Sequence, residues 1–568
     1  MNYYNQVIQL KKSSTKNFIL KFGLLLFLFL FGTIAHSQTT QLQWAKKMGN
    51  NGADKGISID VDKEGNVYTT GIFNDTVDFN PNAGIYNLTG GRFIQKLDAE
   101  GNLIWAKGMG GGSTAIFLDD SSNVYTTGFF SDTVDFDPNA GVYNLVAENS
   151  SVDIFVQKMD SAGNFIWAKR MGGARTDIGT SIVVDKLGNV YTTGYFEHTV
   201  DFDPNAGIYN LPGGSVGAFI QKLDAGGNFV WAKSLTSLGW VRGHGIDLGA
   251  SGHIYVIGEF ENTVDFDPNT GTSYLTAVNG YDCFIQKLDT AGNFIWAKNT
   301  SPTDYRISDN GYSIAVDEEE NVYTTGRFEY TVDFDPNMGT SYLTAIGDYD
   351  VFIQKLDSAG NLIWVRGMGS SGDDFGRGLD IDGSGNIYTT GHFEGTVDFD
   401  PGPNISNLTS MGIEDIFIQK LDFNGNFLWA KSMGDFSYDY GNDIVVDASG
   451  NVHTTGLFLF TVDFDPNADT ANLTTVGVLF SDIFIQKLSQ KNISGRVYID
   501  FNQNCVQDNN EIDLLGRRLM INPGNIIVTT QNGNWHLDSL PIGNYTLQID
   551  TSGPWKPTCS SVQSFTVV

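Results

Sequence analysis

Short runs of alternating apolar and polar residues recur along this chain in a fixed order. In one copy they read Ile182-Val-Val-Asp, Val190-Tyr-Thr-Thr-Gly, Phe219-Ile-Gln-Lys-Leu and Phe229-Val-Trp-Ala-Lys. Period-two alternation, enrichment in β-branched and aromatic residues, and Gly-Asn pairs between the runs predict four antiparallel strands. The marker Thr-Val-Asp-Phe starts at Thr76, Thr133, Thr199, Thr263, Thr331, Thr396 and Thr461. One four-stranded unit written seven times at this spacing predicts an all-β fold, a seven-bladed β-propeller.

The seventh unit lacks its last strand. After Phe484-Ile-Gln-Lys-Leu the chain runs on as Ser489-Gln-Lys-Asn, whereas Leu42-Gln-Trp-Ala-Lys-Lys-Met stands alone ahead of the first full unit. The N-terminal strand is therefore expected to finish the last blade, which removes an open sheet edge. Trp44, Trp105, Trp167, Trp231, Trp296, Trp364 and Trp429 hold one equivalent position, and large aromatics in such a stripe are expected to pack the blades together.

Residues 1–37 read as a secretory signal: four lysines and no acidic residue, an apolar run from Phe22 to Ile34, and Ala35-His-Ser before Gln38. Thirteen apolar residues are too few to span a bilayer as a helix, so no transmembrane segment is expected and the product should be secreted or held at the cell surface. The formal charge of −31 falls further once those lysines are removed. That charge argues against nucleic acid as a partner and favours cations or plain solubility. The expected domains are the signal, 1–37, the propeller, 38–490, and a C-terminal segment, 491–568. Cys283 reads as a buried small hydrophobe. Cys505 and Cys559, both in the last segment of an exported chain, are expected to form a disulfide.

Strand parity puts the short Asp-x-x-Gly-Asn turns on one side of the disc. The crossings between blades and the long excursions from second to third strand lie on the other. The crossings vary most between copies, as recognition loops on a rigid scaffold do. They nominate Trp240, Arg242, His244, Tyr305, Arg306, Phe436, Tyr438 and Tyr440 as ligand contacts. The excursions carry acidic turns such as Asp135-Phe-Asp-Pro-Asn-Ala-Gly, in which local turn formation outweighs calcium binding. In the C-terminal segment Asp500, Asn502, Asn504, Val506, Asp508 and Glu511 occupy positions 1, 3, 5, 7, 9 and 12 of a calcium loop, with Cys505 where glycine is usual. Calcium is the one cofactor expected.

The unit G-x-x-I-x-V-D-x-x-G-N-V-Y-T-T-G-x-F, with Thr-Val-Asp-Phe-Asp-Pro and Phe-Ile-Gln-Lys-Leu-Asp, resembles the SBBP-type bacterial β-propeller repeat over residues 42–488. That resemblance implies an exported propeller without an assigned catalytic residue. Ile493-Ser-Gly-Arg-Val-Tyr and Gly533-Asn-Trp-His-Leu-Asp-Ser-Leu-Pro resemble a carboxypeptidase-regulatory or adhesin B-type domain, which implies a small Ig-like or prealbumin-like β-sandwich whose loop often holds calcium. Proteins of this layout commonly end in a type IX secretion sorting domain, and none is visible after the sandwich.

No nucleophile-elbow, metalloprotease or phosphate-loop motif is present, and the seven histidines share no common setting. The expected function is a non-catalytic, monomeric binding or adhesion protein for an extracellular glycan, protein or surface polymer. The alternatives are a polysaccharide hydrolase or lyase using the same face, and a structural envelope protein. Catalytic acids would stand out as departures from the repeat, and Asp373, Asp374, Asp435 and Asp439 are the acids read that way.

Overall fold

The computed structural model describes residues 6–12, 40–148, 151–302, 308–467, 469–477, 479–490, 492–498, 518–522, 526–529, 534–538, 543–549, 555–557 and 562–567. It divides into two units, Leu42–Leu488 and a second made of Met1–Gln41 with Ser489–Val568. Tyr305, Arg306, the calcium-loop residues Asp500 to Glu511, and Cys505 and Cys559 lie outside the described residues.

The larger unit is a ring of seven four-stranded antiparallel sheets. The third blade pairs Asp177–Val184, Val190–Phe196, Gly217–Leu223 and Phe229–Leu235 in sequence order. In the last blade Tyr440–Val446, Val452–Phe458 and Asp482–Gln490 are followed by Thr40–Met48 as the fourth strand. First strands of successive blades touch one another all the way round, the seventh touching the first, so they line the central channel.

Each element of the repeat has a packing role. The Val-Tyr-Thr-Thr-Gly strand is covered on both faces and is buried along its length, as a central blade strand must be. Its glycine is compulsory: a Cβ on Gly71 would lie 2.1 Å from the Lys55 carbonyl oxygen and 2.8 Å from the Phe93 ring. The Phe of Thr-Val-Asp-Phe folds back into the blade, where Phe79 meets Phe73 at 5.1 Å and Phe93 at 4.7 Å. The Gln of Phe-Ile-Gln-Lys then donates to its carbonyl, Gln95 to Phe79 at 2.6 Å and Gln486 to Phe464 at 2.6 Å. One fully buried Phe of this kind contributes roughly 1.5–3 kcal/mol.

Neighbouring blades are tied by the Trp-Ala-Lys strand. Trp105 Nε1 donates to Ser161 of the next blade at 3.2 Å, and Trp44 does the same to Ala99 at 3.0 Å. Two residues on, Lys107 Nζ donates to Asn139 on the next blade's excursion, as Lys46 does to Asn82, both at 2.8 Å. One copy has Arg366 in place of this lysine and Gly402 in place of the matching asparagine. Arg366 binds the carbonyls of Gly425 and Asn424 instead.

The acidic turns of the excursions hold their own backbone. Asp135 Oδ1 accepts from Asp137 and Tyr143 nitrogens at 3.0 and 2.8 Å, and Asp137 from Asn139 at 2.9 Å. Among the described residues no group of three or more His, Cys, Asp or Glu side chains is arranged to hold a metal ion. Cys283 is a buried free thiol. No described helix is long and apolar enough to cross a membrane.

The smaller unit contains two four-stranded sheets. One has the order Asn534–Asp538, Asn492–Tyr498, Gln6–Lys12, Trp555–Pro557, and the other Ile526–Thr529, Arg518–Asn522, Gly543–Ile549, Val562–Val567. Gln6–Lys12 lies inside the stretch read as an export signal.

Candidate binding site at the channel mouth

Three strand positions break the repeat where the channel opens on the crossing side. The first, which follows an aspartate in five of the seven copies, opens the inner strand and reads Lys55, Gly112, Ile178, Arg242, Asn310, Phe375 and Tyr440 round the ring. The second, two residues on, reads Ile57, Thr114, Thr180, His244, Tyr312, Arg377 and Asn442. The third faces the first across the ladder, just before the last Phe of the second strand, and reads Ile72, Phe129, Tyr195, Glu259, Arg327, His392 and Leu457. The flanking Thr-Thr-Gly is constant in six of the seven copies. In blades four to six all nine of these positions are charged, amide-bearing or aromatic, whereas blades one to three are mostly apolar or small.

These side chains form one connected cluster. Arg242 Nη1 lies 3.2 Å from Glu259 Oε1, and its guanidinium covers Trp240 at 4.6 Å and Tyr195 at 5.1 Å. Glu259 also accepts from Asn310 Nδ2 and lies 3.6 Å from His244 Nε2. Burial pushes the Glu259 carboxyl up, but His244 and Arg242 outweigh it and hold it below the usual range. Arg327 Nε donates to Asn310 Oδ1 at 2.8 Å while its guanidinium lies over Tyr349 at 4.1 Å and Phe375 at 4.7 Å. Phe375 is also stacked with His392, whose ring meets Tyr440 at 4.3 Å. Tyr440 donates its hydroxyl to Glu414. Burial, then the charges of Arg377 and Arg327, keep His392 well below its ordinary pKa, hence neutral.

Arg377 is poorly compensated, the charge of Glu414 acting on it only from beyond ion-pair distance. It lies over Phe375 at 5.3 Å and Tyr312 at 5.6 Å, its buried Nε has no acceptor, and no ion pair reaches it among the described residues. Burial lowers the Lys55 pKa, and the charges of Arg377 and Arg92 lower it further. Lys55 belongs to the first blade and Arg377 to the sixth, so only the seventh blade separates them round the lumen. Five residues deeper, roughly 16 Å at strand rise, the lumen turns acidic. Asp60, Asp247 and Asp380 at that depth, and Asp443 three residues below Tyr440, each accept a backbone N–H from the adjoining blade.

Of the residues nominated from the crossings, Trp240, Arg242, His244 and Tyr440 lie in this cluster, with Tyr438 beside Tyr440 at 6.3 Å. Phe436 stands apart, stacked on Phe460 at 4.5 Å. Tyr195, Glu259, Asn310, Tyr312, Arg327, Phe375, Arg377 and His392 were missed because they sit within strands; a position-by-position comparison of the seven copies identifies them. Asp374 and Asp439 are not departures from the repeat, contrary to the sequence reading. Each occupies the place of Asp54 and Asp177 and ties the crossing to the start of the following excursion by accepting a backbone N–H from each, Asp374 those of Ser370 and Glu394, Asp439 those of Asp435 and Leu459. Asp435 likewise caps Ser437 and Thr461.

The repeat described as SBBP, Beta-propeller repeat, matches residues 43–71, 166–195 and 303–327. An uncharacterized WD repeat-containing protein of Acanthamoeba polyphaga mimivirus is 23% identical over 504 residues, covering 74% of this chain and 36% of its own length. The regulatory protein FlaEY of Caulobacter vibrioides is 24% identical over 212 residues, covering 35% and 21%. The chain therefore spans between about a fifth and just over a third of these curated relatives. Among solved structures, BamB from Moraxella catarrhalis aligns over 78% of this chain and 91% of its own at 10% identity and a TM-score of 0.30. The WD40 propeller domain of Doa1 aligns over 80% and 97% at 10% identity and 0.31; scores this low carry the comparison no further. Three segments of the chain thus match the SBBP beta-propeller repeat, and its four-stranded sheets are arranged as seven blades.

Proposed function

We propose that this chain is an exported binding protein that seats an extracellular glycan at the channel mouth over blades four to seven and does not transform it. The observation that carries this reading is that on three contiguous blades, four to six, all nine residues at three otherwise mostly apolar or small positions are charged, amide-bearing or aromatic. Aromatic faces beside hydrogen-bonding side chains suit a sugar ring, which is apolar on its faces and polar at its edge. Binding without turnover is favoured because both carboxylates in the cluster are already engaged, Glu259 by Arg242 and Asn310, Glu414 by Tyr440. In this reading Thr40–Met48 latches the ring, and residues 491–568 form a β-sandwich spacer holding calcium at Asp500 to Glu511. The test is a glycan array probed with the full chain, paired with a product assay on every glycan that binds. Retention without products is expected, and product formation would replace the binder with a hydrolase or lyase.

A further inference from the structure

Within a strongly acidic protein, cations converge on one point. Arg377, Lys55 and Arg327 are all half-buried, and each lowers or is lowered by another's charge. Holding like charges together in a partly desolvated place is unfavourable unless something offsets it. Arg327 donates to a neutral amide, Asn310, and Arg377 lies against aromatic faces, with Glu414 acting on it only through its charge. A buried guanidinium nitrogen without an acceptor is unfavourable. These features describe a receptor for one anionic group, with Arg377 supplying the donors and Tyr312, Phe375 and Tyr440 forming its apolar wall.

The surroundings restrict how the anion arrives. Glu329, Asp348 and Asp373 stand in the loops above, close enough that Asp348 and Asp373, after burial, raise the Glu329 pKa. A polyanion laid flat across this rim would meet those carboxylates, whereas one anionic group entering end-on would pass them and reach the floor.

We propose that the floor of the channel mouth, centred on Arg377 and flanked by Lys55 and Arg327, binds the carboxylate of a terminal sugar acid of an acidic polysaccharide. This rests on the glycan-binding reading above and adds the charge of the ligand and its end-on direction. Arg377 offers paired donors to a planar carboxylate, a geometry lysine does not match.

The full chain is titrated by calorimetry with tetragalacturonate, its fully methyl-esterified form, a fully sulfated neutral tetrasaccharide and a poly-glutamate peptide. Tetragalacturonate is expected to bind, with at least tenfold loss on methyl esterification and at least tenfold loss in Arg377→Gln. Arg377→Lys should recover only part of that loss. Lys55→Ala, less dependent on correct folding, should weaken binding several-fold and reduce its salt dependence, and unchanged thermal melting shows that each variant is folded. Equal affinity for the ester, or indifference to Arg377 and Lys55, overturns the proposal while leaving a neutral-glycan binder intact. Preference for the sulfated sugar or the peptide overturns the sugar acid, and no binding to any of the four overturns it as well. Cleavage of tetragalacturonate would sink the non-catalytic reading but not the anion site.

Discussion

Blade four breaks the repeat in a way that predicts a thermodynamic coupling. Six copies place an aspartate at the turn between first and second strands; Asp62, for example, accepts from Asn66 and from the Tyr68 hydroxyl. Blade four has Gly249 there, and blade five has Glu320 where other copies have glycine in five cases and Ser122 in one. Glu320 reaches back to fill the vacancy, accepting from Tyr255 at 3.0 Å, Lys287 at 2.9 Å, His253 at 2.9 Å and the Ser251 hydroxyl. Burial raises its pKa, but these bonds outweigh burial and hold it far below the usual carboxylate range. Its backbone is left-handed, φ 62°, at a cost of about 1–2 kcal/mol. Glu320→Gly relieves that strain but leaves the Lys287 side chain, 5% exposed, without its carboxylate, a loss of about 3–5 kcal/mol. The net expectation is about 2 kcal/mol of destabilisation. Gly249→Asp alone puts a Cβ 2.9 Å from Glu320 Oε1 and two carboxylates in one place, and should destabilise by about 2–4 kcal/mol. The double variant restores the arrangement of the sister blades and should return to within about 1 kcal/mol of wild type, a coupling well above the few tenths expected of independent sites. Urea denaturation of the four proteins measures it. Additive losses in the double variant would refute the substitution of one carboxylate for another across blades.

Two further outcomes follow. Burial, the largest cause in each case, raises Asp60, Asp177, Asp247 and Asp282 from 3.8 to about 7, and Asp374 and Asp439 to about 8. The folded chain then holds protons that the unfolded chain releases between pH 4 and 8, so stability falls as pH rises through that window; thermal melts should be higher at pH 5 than at pH 8 by roughly 5 °C or more, and equal or reversed melting would contradict it. Deleting Gln41 to Met48 removes the outer strand of the seventh blade together with the Trp44 and Lys46 bonds to the first, and should lower the melting temperature by more than about 5 °C; a truncated chain that melts like the intact one would contradict the latch.

The ring was legible because its signals are periodic and local. Alternation marks strands, Asp-x-x-Gly-Asn marks their turns, and seven markers count blades. Even the inter-blade ties leave a trace, for the one copy without the Lys107-type lysine also lacks the matching asparagine, as Arg366 and Gly402 show. The site was only half legible. Loop variation drew attention to Trp240, Arg242 and Tyr440, but Tyr312, Arg327 and Arg377 replace residues inside strands without disturbing the period-two pattern. Their convergence depends on the ring bringing blades one, five and six to one lumen, which no linear spacing reveals. Asp374 and Asp439 show the opposite error: they stand in variable stretches yet perform the repeat's own task of tying a crossing to the excursion that follows.

The central claim is that recognition resides in those strand positions and not in the ring as a whole. Probing one glycan array with the wild-type chain and with Arg242→Ile, Tyr312→Thr, Arg377→Thr, which carries the third blade's residues at these positions, tests it directly. The wild type should retain a defined set of acidic glycans that the variant no longer binds, with both proteins melting within about 2 °C of each other. An unchanged binding pattern in the folded variant would place recognition elsewhere on the molecule.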